Sequence, residues 1–121
     1  MEDIMTQIDF GHGASLYTLE DELGQTVQVT DLGATIVSIQ TRDKDGLLED
    51  VVLGYSCAQN YLTYHSCQGA TIGRYANRIR GASFVLNDVH YHITPNEGKN
   101  HLHGGNIGLS KKMWKKEYYT E

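Results

Sequence analysis

Three polar residues, Asn77, Arg78 and His103, are candidates to bind or activate an oxygen-rich ligand. The guanidinium of Arg78 offers donors in a fixed fork, which suits carboxylates, phosphates or the adjacent hydroxyls of a sugar. Asn77 stands directly beside it. His103 precedes two glycines that let a backbone or a ligand come close, and an imidazole can donate a hydrogen bond or exchange a proton near neutral pH. Each has a plain alternative: Arg78 as a surface arginine paired with an aspartate, and His103 as a loop histidine bonded to backbone.

A predicted β-hairpin lies between these candidates and would position them. Apolar residues alternate on both sides of Asn87-Asp88, a pair that tolerates the positive φ of a tight turn. The alternating residues are Ala82, Phe84 and Leu86 before the turn and Val89, Tyr91 and Ile93 after it. Because a hairpin returns the chain to the end from which it started, Arg78 and His103 are expected to meet there.

The remainder of the chain favours short strands joined by turns, since it holds thirteen glycines, one proline and no sustained helical pattern. We predict strands at residues 15–20, 25–31, 35–41, 50–55 and 113–119, and one short helix at residues 58–64. The continuous apolar run at 50–55 predicts a strand buried on both sides. Residues 21–24 predict a turn, and Gly33 marks a bulge or a sharp bend.

Two histidine pairs, His90 with His92 and His101 with His103, have the spacing that places both rings on one face of a strand. A zinc site would need a third protein ligand and a pair that faces inward. His90 and His92 lie opposite the apolar face of the hairpin, so we expect no metal. The chain also lacks the sequence motifs of phosphate-binding loops, dinucleotide-binding folds and serine hydrolases.

Bulk properties exclude several classes of protein. A chain of 121 residues fits one domain at most, and a net charge of −5 argues against a nucleic-acid partner despite the basic run at 111–116. No apolar run approaches the ~20 residues of a membrane span. The first residues lack the features of a signal peptide, which predicts a cytoplasmic location. Cys57 and Cys67 are therefore expected to be unpaired thiols.

Taken together, the motifs resemble those of the aldose 1-epimerase (galactose mutarotase) family. The resemblance runs from about Leu16 to Gly105, with the blocks in the family's order and at family-like spacing. The most specific signal is the arginine of ANRI followed 25 positions later by the histidine of LHGG. The matching blocks are LGATIVS (32–38), DVVLGY (50–55), GRYANRI (73–79), PNEG (95–98) and LHGG (102–105).

The resemblance implies an all-β fold, the large antiparallel β-sandwich of galactose mutarotase-like proteins. It also implies interconversion of the α and β anomers of aldohexoses such as galactose or glucose, without a metal or an organic cofactor. A general base would take the C1 hydroxyl proton, a general acid would protonate the ring oxygen, and the opened ring would rotate and close. By position, Asn77 and Arg78 correspond to sugar-binding residues. His103 corresponds to the family's first active-site histidine, which contacts the sugar and supports the acid step.

Members of this family run to roughly twice this length or more, and residues 106–111 depart from their usual sequence. We therefore expect residues 1–121 to form a single partial domain, the N-terminal part of the sandwich. The family's principal proton donor and general base have no counterparts here, so we expect this chain alone to show little or no activity. Uncovered strand edges would favour self-association or a complementing C-terminal part. The alternatives are a non-catalytic carbohydrate-binding remnant and a small β interaction module.

Overall fold

A five-stranded antiparallel sheet occupies the first half of the computed structural model, which describes residues 4–117. Its strands follow one another in chain order, and each pairs with the next. They are β1 (Ile4–Gly11), β2 (Ala14–Glu20), β3 (Thr26–Thr30), β4 (Thr35–Arg42) and β5 (Leu48–Asp50). The strands predicted at 15–20, 25–31 and 35–41 are therefore confirmed to within one or two residues at each end.

The turn between β2 and β3 forms where the sequence predicts it. The carboxylate of Asp21 accepts the backbone N–H groups of Leu23 and Gln25, at 2.9 Å and 2.8 Å. Gly24 has a φ of 75°, a conformation that costs glycine little. The pKa of Asp21 is lowered most by a hydrogen bond from the side chain of Gln25, and the two backbone hydrogen bonds lower it further.

The predicted irregularity near Gly33 divides into two separate features. Gly33 and Ala34, with φ values of 73° and 45°, form the bend that connects β3 to β4. A register shift lies further on, where Gln28 pairs with Ser38 while its neighbour Val29 pairs with Ile36. The extra residue, Val37, is a bulge that leaves Val37 and Ser38 both buried.

The prediction of a strand at residues 50–55, buried on both sides, is wrong. Strand β5 ends at Asp50; the N–H of Val51 still donates to the carbonyl of Ile39, but Val51 is 63% and Leu53 78% exposed. The carboxylate of Asp50 accepts hydrogen bonds from Ser38 Oγ and from its own neighbour Val52 N–H. This local bond bends the chain away from the ladder, so the apolar run is not a buried strand.

The second half of the chain is made of small elements. Helix α1 (Ala58–Thr63) is confirmed one residue shorter than predicted. Two-stranded sheets pair β6 (Arg78–Ile79) with β9 (His101–Leu102), and β7 (Ser83–Leu86) with β8 (Val89–His92). Short 3₁₀ turns cover Arg80–Ala82 and Leu109–Lys111. Within residues 4–117, no helix is long and apolar enough to cross a membrane.

The predicted hairpin is confirmed, with Asn87 and Asp88 in its turn at φ values of 50° and 60°. Phe84 and Tyr91 face each other across the strands, and their rings stack at 5.3 Å between centroids.

The strand predicted at 113–119 is wrong over its described residues. Met113 forms one isolated bridge, and no strand follows it through residue 117. Residues 118 and 119 lie outside the described part of the chain.

The hydrophobic core lies between the large sheet and α1. Tyr61 on α1 packs against it, and the Phe10 and Tyr61 rings approach to 6.1 Å. The buried apolar residues of this cluster are Phe10, Ala14, Leu16, Leu32, Val37 and Ala58. Helix α1 is too short to be stable alone and has no side-chain N-cap bond, so the packing of buried Ala58 and partly buried Tyr61 holds it in place. Cys57 and Cys67 are both unpaired, as predicted.

Candidate functional site

The β6–β9 pair brings the three candidate residues together, as the hairpin topology predicts. Arg78 lies opposite Leu102 in this pair. One step outside it, the backbone N–H of His103 donates to the carbonyl of Asn77 at 3.1 Å. Asn77 and His103 both have positive φ, 60° and 50°. This conformation turns the chain out of the ladder on both sides, directly beside the two strands.

A backbone hydrogen bond determines the tautomer of His103. The backbone N–H of Asn77 donates to His103 Nδ1 at 2.9 Å. Because a backbone N–H is always a donor, Nδ1 must be the acceptor, and the proton of the neutral ring lies on Nε2. His103 therefore presents an N–H donor on the side of its ring that faces away from Asn77. The alternative interpretation of His103, a loop histidine bonded to backbone, thus applies to Nδ1 but does not account for Nε2.

Arg78 makes an ion pair that the sequence did not identify. Its Nε–H and one Nη2–H donate to the two carboxylate oxygens of Glu97, each at 2.7 Å. The exposed fractions of the two side chains are 57% and 36%. The hydrogen bond from Arg78 is the largest cause that lowers the pKa of Glu97, and Glu97 in turn raises the pKa of Arg78. The plain alternative for Arg78 is a surface arginine paired with an aspartate, and the structure pairs it with a glutamate instead.

The turn that carries Glu97 also holds β9. Asn96 lies beside Leu102, accepting its N–H at 2.6 Å and donating to its carbonyl at 2.8 Å. Asn100 closes the turn by bonding to the backbone of Glu97, and its side chain accepts the N–H of Gly81. The turn at residues 96–100 thus contacts Arg78 and also Leu102, the residue before His103. PNEG was recognised only as a family block, because no local pattern reveals which arginine a glutamate will meet.

A cleft of about 320 Å³ opens beside His103. Its lining combines aromatic rings with polar and basic groups, among them Tyr61, Tyr64, Asn96 and Lys111. Among the described residues that line it there is no aspartate or glutamate. Asn77 and Arg78 are not part of this lining. Of the three candidates, the structure thus places His103 in the cleft and the other two beside it.

The backbone behind His103 is closely packed. Gly104 has a φ of 88°, and a Cβ at this position would lie 1.9 Å from the carbonyl oxygen of Gly73. That carbonyl accepts the N–H of Leu109 at 3.1 Å. Glycine at position 104 therefore allows the segment after His103 to lie against the segment that leads to Arg78.

The two histidine pairs have different surroundings. His90 and His92 lie on β8, all four residues of which are exposed. His101 is buried, and its Nδ1 donates to the carbonyl of Thr94 at 2.7 Å, whereas Nδ1 of His103 faces Asn77. Over residues 4–117, no group of three or more histidine, cysteine, aspartate or glutamate side chains is arranged to hold a metal ion.

Sequence comparison connects this site to known proteins. The family model described as aldose 1-epimerase matches residues 15–121. An aldose 1-epimerase from Haemophilus influenzae is 46% identical over 99 residues, which cover 82% of this chain and 28% of that protein. A galactose mutarotase from Sus scrofa is 40% identical over 88 residues, which cover 73% of this chain and 26% of that protein. The chain thus spans little more than a quarter of the length of these relatives.

Structural comparison leads to the same group of proteins. The crystal structure of galactose 1-epimerase from Lactobacillus acidophilus NCFM superimposes with a TM-score of 0.77 and 26% identity, over 93% of this chain and 33% of that one. A GalM/aldose epimerase homologue from C. elegans gives 0.74 and 28%, over 97% of this chain and 33% of that one. The predicted antiparallel β fold of this family is confirmed, and this chain matches about one third of the length of each of these structures.

Proposed function

This chain belongs to the aldose 1-epimerase family, and from that premise we propose that it forms one side of a monosaccharide site. At the complete site, the α and β anomers of an aldohexose such as galactose or glucose would be interconverted by acid–base ring opening. One observation carries the proposal: the backbone N–H of Asn77, in the GRYANRI block, fixes the tautomer of His103, in the LHGG block, and His103 lines a cleft.

His103 is proposed to donate its Nε2–H to a sugar oxygen. A ligand in the cleft would meet this donor already oriented, because Nδ1 is held by Asn77. A donor that does not reorient stabilises charge developing on the ring oxygen better than a freely rotating one. His103 would thereby bind the sugar and support its protonation.

Arg78 and Asn77 are proposed to bind sugar hydroxyls beside the cleft. A guanidinium has five N–H donors, and Glu97 occupies two of those of Arg78, so three remain. One Nη1–H and one Nη2–H of these three lie along the edge next to the one that Glu97 occupies, where they match two neighbouring hydroxyls, and the third, on Nη1, points back towards Cδ. The side-chain oxygen of Asn77 accepts the backbone N–H of Arg78 at 2.9 Å, and the amide nitrogen of Asn77 remains to donate to a ligand.

The principal proton donor and the general base are proposed to lie outside these 121 residues. The described residues that line the cleft include no carboxylate to remove the C1 hydroxyl proton. Paired acid and base catalysis contributes ~10²–10⁴-fold for each proton transfer. The 121-residue chain alone should therefore bind a sugar without accelerating its mutarotation, and a complementing C-terminal part should restore the reaction.

Two assays test the proposal. Chemical-shift changes in NMR spectra measure galactose binding, and polarimetry of freshly dissolved α-galactose measures mutarotation. We expect binding by the wild-type chain, binding at least tenfold weaker for His103→Ala, and optical rotation that changes no faster than in buffer. His12→Ala is the matched control, because His12 is exposed in the turn between β1 and β2.

Four outcomes would change this conclusion. Equal binding by the His103→Ala and control variants would refute the role of His103. Rapid mutarotation by the isolated chain would show that acid and base both lie within it. A stable homodimer that binds no aldose would favour a β interaction module instead, and sugar binding without activity after complementation would favour a non-catalytic binding protein.

A further inference from the structure

We propose that Glu97 is a positioning residue for Arg78, which it orients so that the unoccupied edge of the guanidinium meets the sugar. This inference rests on the proposed function and adds to it a residue that contacts no ligand itself. It follows from three observations: the geometry of the ion pair, the anchoring of the turn that carries Glu97, and the exposure of Arg78.

The geometry of the pair defines the guanidinium plane. Two parallel N–H···O bonds of 2.7 Å, from Nε and Nη2 of Arg78, end on the two oxygens of one carboxylate. Such a bidentate pair fixes the direction of the planar group, whereas a single bond would leave it free to rotate. The remaining N–H groups must then point away from Glu97.

The turn that carries Glu97 is itself anchored to the site. Asn96, one residue earlier, holds both backbone groups of Leu102, the residue that precedes His103. The carbonyl of Glu97 also accepts the N–H of Asn100, which closes the turn. The position of the Glu97 carboxylate is thus coupled to the backbone that carries His103, so one turn sets the spacing between the two proposed binding groups.

Exposure explains why Arg78 needs a partner. Its side chain is 57% exposed, and a long side chain in solvent samples many rotamers unless something holds it. Ordering those rotamers only when the sugar binds would weaken binding, so a partner that orders them beforehand strengthens it. An exposed ion pair adds little to folding stability, which leaves orientation as its main effect.

The test compares Glu97→Gln with the wild-type chain. Glutamine keeps the shape of the side chain, but its amide presents N–H groups to the guanidinium and breaks one of the two bonds. We expect galactose binding roughly five- to tenfold weaker, with the thermal unfolding temperature unchanged. The Arg78 Nε–H signal in ¹H–¹⁵N NMR spectra, identified by its loss in Arg78→Lys, should also lose its protection from solvent exchange. Glu22→Gln, at an exposed carboxylate in the β2–β3 turn, should change none of these.

The pH dependence gives a second readout that a purely structural role would not change. Arg78 and His103 both lower the pKa of Glu97, and Lys99 lies in the same turn. Protonation of Glu97 removes an acceptor, so the pair is complete above the ordinary value of about 4.5 and is lost as the pH falls through the lower folded pKa. Wild-type affinity should therefore fall in acid towards that of Glu97→Gln.

The possible results separate the two proposals. If Arg78→Ala and His103→Ala weaken galactose binding and Glu97→Gln does not, the positioning role of Glu97 is overturned and the proposed function stands. If neither Arg78→Ala nor His103→Ala weakens binding, the proposed function fails and the inference that depends on it fails as well. An Arg78 Nε–H that exchanges equally fast in the wild-type and Glu97→Gln chains would overturn the pairing directly.

Discussion

Replacing Gly104 with alanine should destabilise the protein where the two proposed binding segments meet. The new Cβ would lie 1.9 Å from the carbonyl oxygen of Gly73 and 2.7 Å from its carbonyl carbon. Both are backbone atoms, so no side chain can rotate to make room. The carbonyl also accepts the N–H of Leu109, and displacing it would strain or break that bond.

Two costs add to give the expected magnitude. An alanine at the φ of 88° found at Gly104 costs about 1–2 kcal/mol. Forcing a methyl group into closely packed surroundings costs about 1–3 kcal/mol more. The free energy of unfolding should therefore fall by about 2–5 kcal/mol, a large part of the ~5–15 kcal/mol that is typical of native proteins.

Gly46→Ala is the matched control. Gly46 has a φ of 82°, close to that of Gly104, and a Cβ there would meet nothing within 4 Å. It carries the backbone cost without the overlap and should lose about 1–2 kcal/mol. The difference between the two variants measures the close contact alone.

Urea unfolding followed by tryptophan fluorescence measures both variants. Trp114 is the single tryptophan, and its indole N–H donates to the carbonyl of Leu109, next to the affected contact. With an m-value of about 2 kcal/mol per M, the urea midpoint should fall by roughly 1–2.5 M for Gly104→Ala and by roughly 0.5–1 M for Gly46→Ala. Equal midpoints for the two variants would show that the contact between Gly73 and Gly104 is absent.

Three further predictions test separate parts of the structure. Ser38→Ala removes the largest cause that lowers the pKa of Asp50; NMR titration should find this pKa nearer 3.8, so that the stability linked to ionised Asp50 disappears at a higher pH during acidification. An unchanged titration would exclude the hydrogen bond between them. Asn96→Ala removes both bonds to Leu102 and should cost about 1–3 kcal/mol in urea unfolding, whereas a loss within error would separate this turn from β9. Leu53→Ser should change stability by less than about 0.5 kcal/mol, because Leu53 is exposed; a cost of ~2–5 kcal/mol, as for a core residue, would restore the buried strand.

Features that depend on neighbours in sequence could be predicted from the residues alone. The Asn87-Asp88 turn and the alternation around it specify the hairpin, and the hairpin predicts that Arg78 and His103 meet. The apolar run after Asp50 misled the prediction. Periodicity shows what a segment would bury but cannot show that Asp50 will accept a hydrogen bond from Val52 and end the strand.

The parts of the site that sequence did not reveal depend on contacts between distant positions. Glu97 is 19 positions from Arg78, and their pairing requires both the hairpin and the turn at 96–100. The tautomer of His103 depends on a bond from the backbone N–H of Asn77. Every residue except proline carries a backbone N–H, so the residue type at position 77 could not predict this bond. The resemblance to the family identifies Arg78 and His103 as candidate binding residues. Only the geometry shows which of their N–H donors remain available to a ligand.

The contact between the 31–33 bend and residues 112–114 has a consequence for the order of folding. Gly33 N–H donates to Lys112, Leu32 bridges Met113, and Trp114 N–H donates to Asp31. Joining these segments closes a loop of roughly 80 residues, at an entropic cost on the order of 4 kcal/mol. The hairpin closes with a two-residue turn and can form within microseconds. We therefore expect this long-range closure to form after the local strands, and its amide protons to exchange with solvent earlier than those of the central strands.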